Sequence, residues 1–135
     1  MPKMFILLNH DLDEAQKNEA KTRFGVSEFV NLSTAKWSSV PPELDDLSEF
    51  LSEFKASLKS KAQKGDFLLA QGDFGAAFEM VCFGLNLGLV ALYATTKREV
   101  NVVQENGKNV KKSVFKHIKF RQISVKNEKF ALLKT

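Results

Sequence analysis

The chain has 135 residues, of which 44% are hydrophobic and 27% charged, as in an ordinary soluble globular domain. Its single cysteine, Cys82, excludes an internal disulfide and a metal site built from several thiolates. The longest uncharged run, residues 80–96, has 17 residues, whereas a membrane-spanning helix needs about 20 predominantly apolar ones. No N-terminal stretch has the order of a signal peptide, so we expect one cytoplasmic domain, residues 1–135, with no membrane contact.

The formal net charge of +4 is distributed unevenly along the chain. Residues 1–96 carry 9 Lys and Arg against 13 Asp and Glu, a net of −4, whereas residues 97–135 carry 11 against 3, a net of +8. A basic surface that faces an anion, such as a nucleotide or a nucleic acid, would explain this asymmetry. A solvated, lysine-rich edge hairpin would explain it equally well, because lysine also protects exposed strand edges.

The first third of the chain predicts a strand, a helix and a second strand. Residues 4–9 form a continuous apolar run that is typical of a strand buried on both faces. Asp11, three residues before Glu14, predicts a capping box, and Gly25 is placed to end the helix. Residues 28–32 predict the second strand.

A second helix is predicted to open at Pro41-Pro42, since proline and the acidic residues that follow suit a first helical turn. Apolar side chains then recur every three or four residues and form one face, which Gly65 ends. These apolar residues are Leu44, Leu47, Leu51, Phe54 and Leu58.

The remaining pattern is strand, helix, strand, at residues 66–71, 74–87 and 89–96. Strands separated by helices of this length form βαβ units, and hence a parallel sheet. A hairpin follows, with Asn106-Gly107 as its turn. The sequence therefore predicts a Rossmann-like α/β fold: a mostly parallel sheet flanked by helices, with a C-terminal antiparallel β-hairpin.

The predicted domain divides into a parallel core, residues 1–98, and a basic hairpin extension, residues 99–135. Strict strand alternation in the hairpin places one set of four side chains on a common face and Phe120 on the opposite one. The set consists of Phe115, His117, Lys119 and Arg121.

Ligands of open α/β sheets bind beyond the carboxyl ends of the strands. Polar residues follow the predicted strands at these positions, so we expect a site there. The candidates are Asn9, His10, Asp11, Ser33, Gln71, Gly72, Asp73, Thr95, Thr96, Lys97 and Arg98.

The turn at Gly72-Asp73 lacks the lysine of a P-loop and the third glycine of a dinucleotide fingerprint. Asp73 is the natural N-cap of the next helix, and its carboxylate would repel a phosphate from the helix N-terminus. Gln71, Asp73 or the backbone of Gly72 could bind a ribose or a base instead. The other interpretation is a capped helix in which Gly75 allows close packing.

His10 is the candidate proton-transfer group, because histidine titrates near neutrality. The alternative is a loop histidine held by the backbone. Lys97 and Arg98 could neutralise a phosphate at the end of the last parallel strand, or they could face solvent. Trp37 could stack on a base, or it could pack over the edge of the sheet.

Three segments resemble a known family: "FILLNHDLDEAQ", "KGDFLLAQGDFGAAF" and "LGLVALYATTKREV". They are similar to small CRISPR-associated proteins of type III systems, the twentieth member of the Csx series, which is related to the CRISPR-associated Rossmann fold. The similarity covers residues 4–100, and "QGDFGA" and "YATTKR" are its most specific parts.

The resemblance implies a ring nuclease that binds cyclic oligoadenylate, usually the tetra-adenylate, and cuts it without a metal or another cofactor, as a homodimer. It implies no stable partner among long nucleic acids. His10, Lys97 and Arg98 are the catalytic candidates under this hypothesis. The ligand-binding candidates are Asn9, Gln71, Gly72, Asp73, Phe74, Gly75, Thr95 and Thr96.

Two other functions stay open on the sequence. A sensor or sponge would bind the cyclic oligonucleotide in the same pocket without cutting it. An RNA-binding domain would use the basic hairpin, and its affinity would fall steeply with salt. The predicted placement of Phe115 and Phe120 on opposite faces argues against an aromatic surface for single strands.

Overall fold

The computed structural model describes residues 1–124. It contains one five-stranded sheet in the order β2-β1-β3-β4-β5, and three helices. The elements are β1 (Lys3–Leu7), α1 (Glu14–Phe24), β2 (Glu28–Asn31), α2 (Ser48–Lys61), β3 (Phe67–Ala70), α3 (Phe74–Asn86), β4 (Val90–Glu105) and β5 (Lys108–Gln122).

The predicted α/β fold is confirmed. Strands β1 to β4 are parallel to their neighbours, and β5 pairs with β4 in the antiparallel sense. Leu7 on β1 pairs with Ala70 on β3, and Leu69 pairs with Leu92 on β4. The carboxyl ends of β1 and β3 therefore lie beside the end of the parallel part of β4, and we call this border the carboxyl edge of the sheet. Asn9 and Gln71 follow β1 and β3 there, and Thr95 lies on β4 just beyond the parallel pairing.

The sheet is covered on both faces, so each face has its own hydrophobic core. Helix α1 packs through Ala20 and Phe24 against Met4, Leu69 and other side chains of one face, which we call the α1 face. Helices α2 and α3 cover the opposite face, which we call the α3 face. Its core includes Phe5, Leu7, Trp37, Leu51, Phe54, Leu68 and Met80.

Helix α1 begins at a different cap from the predicted one. Asp13, not Asp11, accepts the backbone N–H of Gln16 at 2.8 Å, and the Gln16 side chain accepts the N–H of Asp13 at 3.1 Å. This reciprocal pair satisfies two donors that a helix start leaves unpaired, and it fixes the start at Glu14. Gly25 ends the helix in a left-handed conformation, φ 69°, as predicted.

Helix α2 starts at Ser48, so the predicted start at Pro41-Pro42 is wrong. The Asp46 carboxylate accepts the Ser48 N–H at 2.7 Å, and the helix begins where this acceptor is available. Hydrogen bonds from Ser48 hold the pKa of Asp46 below its usual value. Leu44 lies before the helix and is largely exposed, whereas Leu51, Phe54 and Leu58 form the buried face. The helix ends at Lys61, before Gly65.

Strand β4 is one uninterrupted strand of 16 residues, not the predicted pair of a core strand and a separate hairpin strand. It runs through Arg98 because β5 pairs with it along the whole length, from Leu92 to Glu105. Asn106 and Gly107 form the predicted turn with φ 54° and 76°, as a two-residue hairpin requires. We call residues 97–116, which form the outer part of the β4–β5 hairpin, the arm. Residues 125–135 of the predicted extension lie outside the described residues.

A β-bulge overturns the predicted alternation in β5. Thr95 pairs with Lys119 but Thr96 pairs with His117, which leaves Ile118 as the extra residue. His117 therefore shares the α1 face with Phe120, whose ring lies 4.8 Å away and is fully buried. Beyond the bulge, Lys119 and Arg121 belong to the opposite face.

Candidate functional site

The polar candidates gather at the carboxyl edge of the sheet, but they divide between its two faces. His10 follows β1 on the α1 face. Gln71 and Gly72 follow β3, and they contact Trp37 and Asn9 on the α3 face. Arg98 lies farther along β4. Because β3 lies between β1 and β4, the strand of Arg98 is two strand spacings, about 10 Å, from the strand that His10 follows. The structure brings His10, Gln71 and Arg98 to one edge of the sheet without placing these three residues in contact.

His10 lines an open pocket of about 220 Å³ on the α1 face. Asp11, Lys17 of α1 and Asn31 at the end of β2 line the same pocket, so its polar lining combines a histidine, an acidic residue, a lysine and an asparagine. Its floor is apolar and its rim polar, as in many sites for small ligands. The lining residues are Ile6, His10, Asp11, Leu12, Lys17, Phe29 and Asn31.

The hydrogen bond of His10 determines which ring nitrogen is available for chemistry. Nδ1 lies 2.8 Å from the carbonyl oxygen of Asp11. A carbonyl only accepts, so Nδ1 carries the proton and donates it, and Nε2 of the neutral ring carries the lone pair. The exposed Nε2 can therefore accept a proton from a bound hydroxyl group. The interpretation of His10 as a loop histidine held by the backbone is compatible with this contact, which orients the ring.

A second group of candidates forms a rigid junction beside this pocket. The indole N–H of Trp37 donates to the Gln71 carbonyl at 3.0 Å, and the side-chain oxygen of Gln71 accepts the Ala94 N–H at 3.0 Å. Trp37 is only 1% exposed, so it packs over the sheet and presents no ring to a base. Gly72 has φ 148°, and a Cβ there would lie 3.1 Å from the Trp37 Nε1.

Asn9 lies at the same junction, where its side-chain oxygen accepts the Ser38 hydroxyl at 3.1 Å. The side-chain NH₂ groups of Asn9 and Gln71 are the donors that these contacts leave for a ligand. Ser33 serves the fold: its hydroxyl accepts the Leu8 N–H at 2.8 Å.

The start of α3 combines a structural aspartate with an exposed aromatic ring. Asp73 accepts the Ala76 N–H at 3.1 Å and so caps the helix. Close packing does not require glycine at position 75, since a Cβ there would meet Leu47 at 3.6 Å, an ordinary van der Waals distance. Phe74 is 85% exposed, which is unusual for a phenylalanine and leaves its ring free to contact a ligand.

The four polar residues of β4 alternate between the faces. Thr95 and Lys97 lie on the α3 face, whereas Thr96 and Arg98 lie on the α1 face. The Thr95 hydroxyl bonds the Lys119 carbonyl at 2.7 Å, and Arg98 donates to the Ser113 hydroxyl at 2.8 and 3.1 Å. Lys97 and Arg98 therefore point to opposite sides of the arm.

Sequence reasoning missed Lys17 and Asn31. Asn31 ends β2, although the strand was predicted to run to residue 32, and the rule that selected Ser33 applies to Asn31 as well. Lys17 gave no signal of its own, because a lysine on an exposed helix is ordinary. Only the folded chain shows that α1 carries it back over the end of β1.

Within residues 1–124, no three His, Cys, Asp or Glu side chains come together as metal ligands would. No helix in the same range is long and apolar enough to cross a membrane.

The fold and this edge define a small α/β protein with a polar site at the carboxyl ends of a mostly parallel sheet. Residues 2–121 match the model of the family described as "Uncharacterized protein MJ1673 family", and the chain belongs to that family. It is 39% identical over 125 residues to the uncharacterized protein MJ1673 of Methanocaldococcus jannaschii. The match covers 90% of this chain and 97% of the relative. No solved structure matches the chain significantly.

Proposed function

We propose that the protein is a metal-independent ring nuclease that binds cyclic oligoadenylate, the tetra-adenylate first of all, and cuts it to end type III CRISPR signalling in the cytoplasm. The resemblance of residues 4–100 to the Csx-series family supports this substrate. The observation that carries the chemistry is the His10 pocket. Its lining includes His10, whose Nε2 has a free lone pair, together with Lys17.

The reaction needs no nucleophile from the protein, because the substrate supplies its own 2′-hydroxyl. Nε2 of His10 takes the proton of this hydroxyl, and the 2′-oxygen then attacks the adjacent phosphorus. The bond from phosphorus to the 5′-oxygen breaks, and the 5′-oxygen takes up a proton. The products are a 2′,3′-cyclic phosphate and a 5′-hydroxyl on a linear oligoadenylate.

Cations stabilise the charge that develops on the phosphoryl oxygens. Lys17 is the nearest candidate, since it lines the pocket together with His10. Arg98 lies on the same face and approaches the edge from β4, and Lys97 approaches it from the other face. Both remain catalytic candidates for a ring that is wide enough to reach β4.

The remaining candidates hold the ligand or shape the edge. The free NH₂ groups of Asn9 and Gln71, the backbone at Gly72 and the Phe74 ring contact base or ribose in this proposal, and Thr96 does the same from β4. Asp73 and Thr95 act through the fold, by capping α3 and bonding β5, whereas Gly75 stays a ligand-binding candidate through its backbone.

A homodimer remains part of the proposal. Two copies that present their carboxyl edges to one another would surround a ring with a two-fold pair of His10 pockets. Gel filtration with light scattering measures this state directly, and a monomer that still cuts the ring would remove the dimer from the proposal.

The test is to incubate the purified protein with cyclic tetra-adenylate in EDTA and to separate the products by chromatography. Linear oligoadenylates with a cyclic phosphate support the proposal. His10→Ala should abolish cleavage and retain binding. His117→Gln is the matched control: it changes the other histidine, keeps a donor for Glu19 and should cleave normally.

The other outcomes are equally informative. An intact ring in a tight complex would favour the sensor or sponge over the nuclease. No binding at all, or normal turnover by His10→Ala, would overturn the proposed function.

A further inference from the structure

Two phenylalanine rings stack on each other at the surface of α3. Phe74 and Phe78 have ring centroids 6.2 Å apart and planes only 16° apart. Phe74 is 85% exposed and Phe78 45% exposed, so the pair contributes little to the core. A flat, exposed aromatic platform of this kind is what unstacked nucleic-acid bases bind.

The platform lies on the flank of α3 that faces β4 and β5. The opposite flank packs on α2, where Lys55 bonds Glu79 at 2.9 Å and its ammonium group lies 5.8 Å from the Phe83 ring centroid. Each helical residue turns by about 100°, which places Phe74 and Phe78 on the flank away from α2. Because α3 packs on β3 and β4, that flank faces the β5 edge of the sheet.

A column of cations follows the same face of β4 and β5. Lys119 pairs with Thr95, and Lys116 pairs with Lys97, two residues farther along the arm. Arg121 begins the column. Its guanidinium lies over the Tyr93 ring at 5.5 Å and donates to the Tyr93 hydroxyl at 2.8 Å.

None of the four cations in this column forms an ion pair within residues 1–124, although Glu99 follows Lys97 on the same face of β4. Lys97 and Lys116 lie directly opposite each other, an arrangement that destabilises a strand pair. An anion bound between them would reverse this cost. The four cations are Lys97, Lys116, Lys119 and Arg121.

We propose that this combined surface, the α3-face platform, binds a single-stranded oligonucleotide. A base stacks on Phe74 and Phe78, and the phosphodiesters follow the cations along β5. Same-face residues of a strand are about 6.6 Å apart, so successive cations can meet successive parts of one backbone. The bulge at Ile118 makes the surface possible, because it turns Lys119 and Arg121 away from the face of His117.

The occupant is a short linear RNA, because the cations continue along β4 and β5 on the face opposite the His10 pocket. Phe74 belongs both to this surface and to the contacts proposed for the cyclic ligand. The inference does not depend on the proposed nuclease activity, because binding of a linear RNA is measured without cleavage.

The experiment measures binding of fluorescein-labelled octa-adenylate by anisotropy and of cyclic tetra-adenylate by calorimetry, with the full chain. The double variant Phe74→Ser/Phe78→Ser should weaken binding of octa-adenylate by 10-fold or more. Phe115→Ser is the matched control, since Phe115 is 69% exposed but lies on the α1 face of the arm. It should bind normally.

A second pair of variants tests the cations. Lys116→Gln/Lys119→Gln should weaken binding and reduce its dependence on salt, because fewer counterions are released. Lys111→Gln, on the other face of the arm, should have a much smaller effect. Loss with the linear ligand supports the inference. A loss confined to cyclic tetra-adenylate would assign these residues to the ring ligand of the proposed function and would overturn the inference.

Several outcomes would overturn the inference. They are no binding of octa-adenylate, equal losses in Phe115→Ser, and normal binding by the double phenylalanine variant. A marked fall in the melting temperature of that variant, or its conversion from dimer to monomer, would assign the rings to packing or to a second copy. A protein that binds octa-adenylate but does not cleave cyclic tetra-adenylate would contradict the proposed function and still support the platform, because the test of the platform is binding.

Discussion

Glu19 on α1 and His117 on β5, 98 residues apart in the chain, are joined by a hydrogen bond of 2.7 Å from Nε2 to Oε1. The same carboxylate accepts the Phe120 N–H at 2.9 and 3.0 Å, and Arg23 donates to the Phe120 carbonyl at 2.7 Å. These backbone groups point away from β4, at the open edge of the sheet. Helix α1 therefore covers the edge of β5 and holds the base of the arm.

This contact makes stability depend on pH. Burial acts to raise the pKa of Glu19, but hydrogen bonds from His117, Arg23 and Phe120 lower it below its ordinary value of 4.5. A lowered pKa in the folded state adds stability that is present above pH 4.5 and is lost as the pH falls below it. The free energy of unfolding should therefore fall more steeply with acid in the wild type than in Glu19→Gln, as urea titrations from pH 7 to pH 3 would show.

At neutral pH, Glu19→Gln should lower the free energy of unfolding by about 1–3 kcal/mol, since it weakens bonds to a largely buried carboxylate. Glu14→Gln is the control on the same helix: Glu14 is 94% exposed and its contact with Lys17 is 3.8 Å long, so stability should stay unchanged. Parallel acid profiles for the wild type and Glu19→Gln would contradict the assignment.

The fold could be predicted because its signals are local. Buried strands gave continuous apolar runs, and Gly25 and Asn106-Gly107 marked turns that need positive φ. The predicted start of α2 was wrong because proline suits a first helical turn but does not create one. Asp46 supplied the acceptor for the Ser48 N–H instead. The bulge at Ile118 was not predicted for a different reason. Strand alternation assumes regular pairing, so it cannot predict an extra residue whose position tertiary contacts select.

Only those features of the site that follow from the topology of the sheet could be predicted from the sequence. Strand order at the carboxyl edge placed Asn9, His10 and Gln71 correctly at one border. The pocket partner Lys17 and the division of Lys97 from Arg98 depend on how helices and a long twisted hairpin pack over that border. Such contacts join residues far apart in sequence, and no local pattern encodes them.

Close packing between α3 and β3 gives a second prediction. A Cβ at Gly84 would lie 2.7 Å from Leu68 Cδ2, and Leu68 is fully buried, so it has little room to move. Gly84→Ala should lower the free energy of unfolding by about 1–3 kcal/mol through overpacking. The control is Gly75→Ala in the same helix, where contacts of 3.6 Å leave room and stability should hold or rise. Denaturant unfolding measures both, and equal effects would contradict this account.

The turn of the arm gives a third prediction, which separates local from global stability. Gly107 has φ 76°, a conformation that β-branched residues avoid, so Gly107→Val should loosen the pairing between β4 and β5 near residues 99–114. The core has no contact with this turn and should keep its stability. Hydrogen exchange should therefore speed up in the arm and stay unchanged in β3. Uniform acceleration would show instead that the arm and the core unfold together.

The final prediction asks which cation serves the reaction. Lys17 lines the pocket with His10, whereas Arg98 lies two strand spacings away and is held by Ser113. If charge develops at His10 within one subunit, Lys17→Gln should lower kcat for cyclic tetra-adenylate by about 10–100-fold and change KM little, because the lost interaction is strongest in the transition state. Lys59→Gln, at the exposed end of α2, controls for lost charge. A larger loss in Arg98→Gln than in Lys17→Gln would place the scissile phosphate near β4 and not in the His10 pocket.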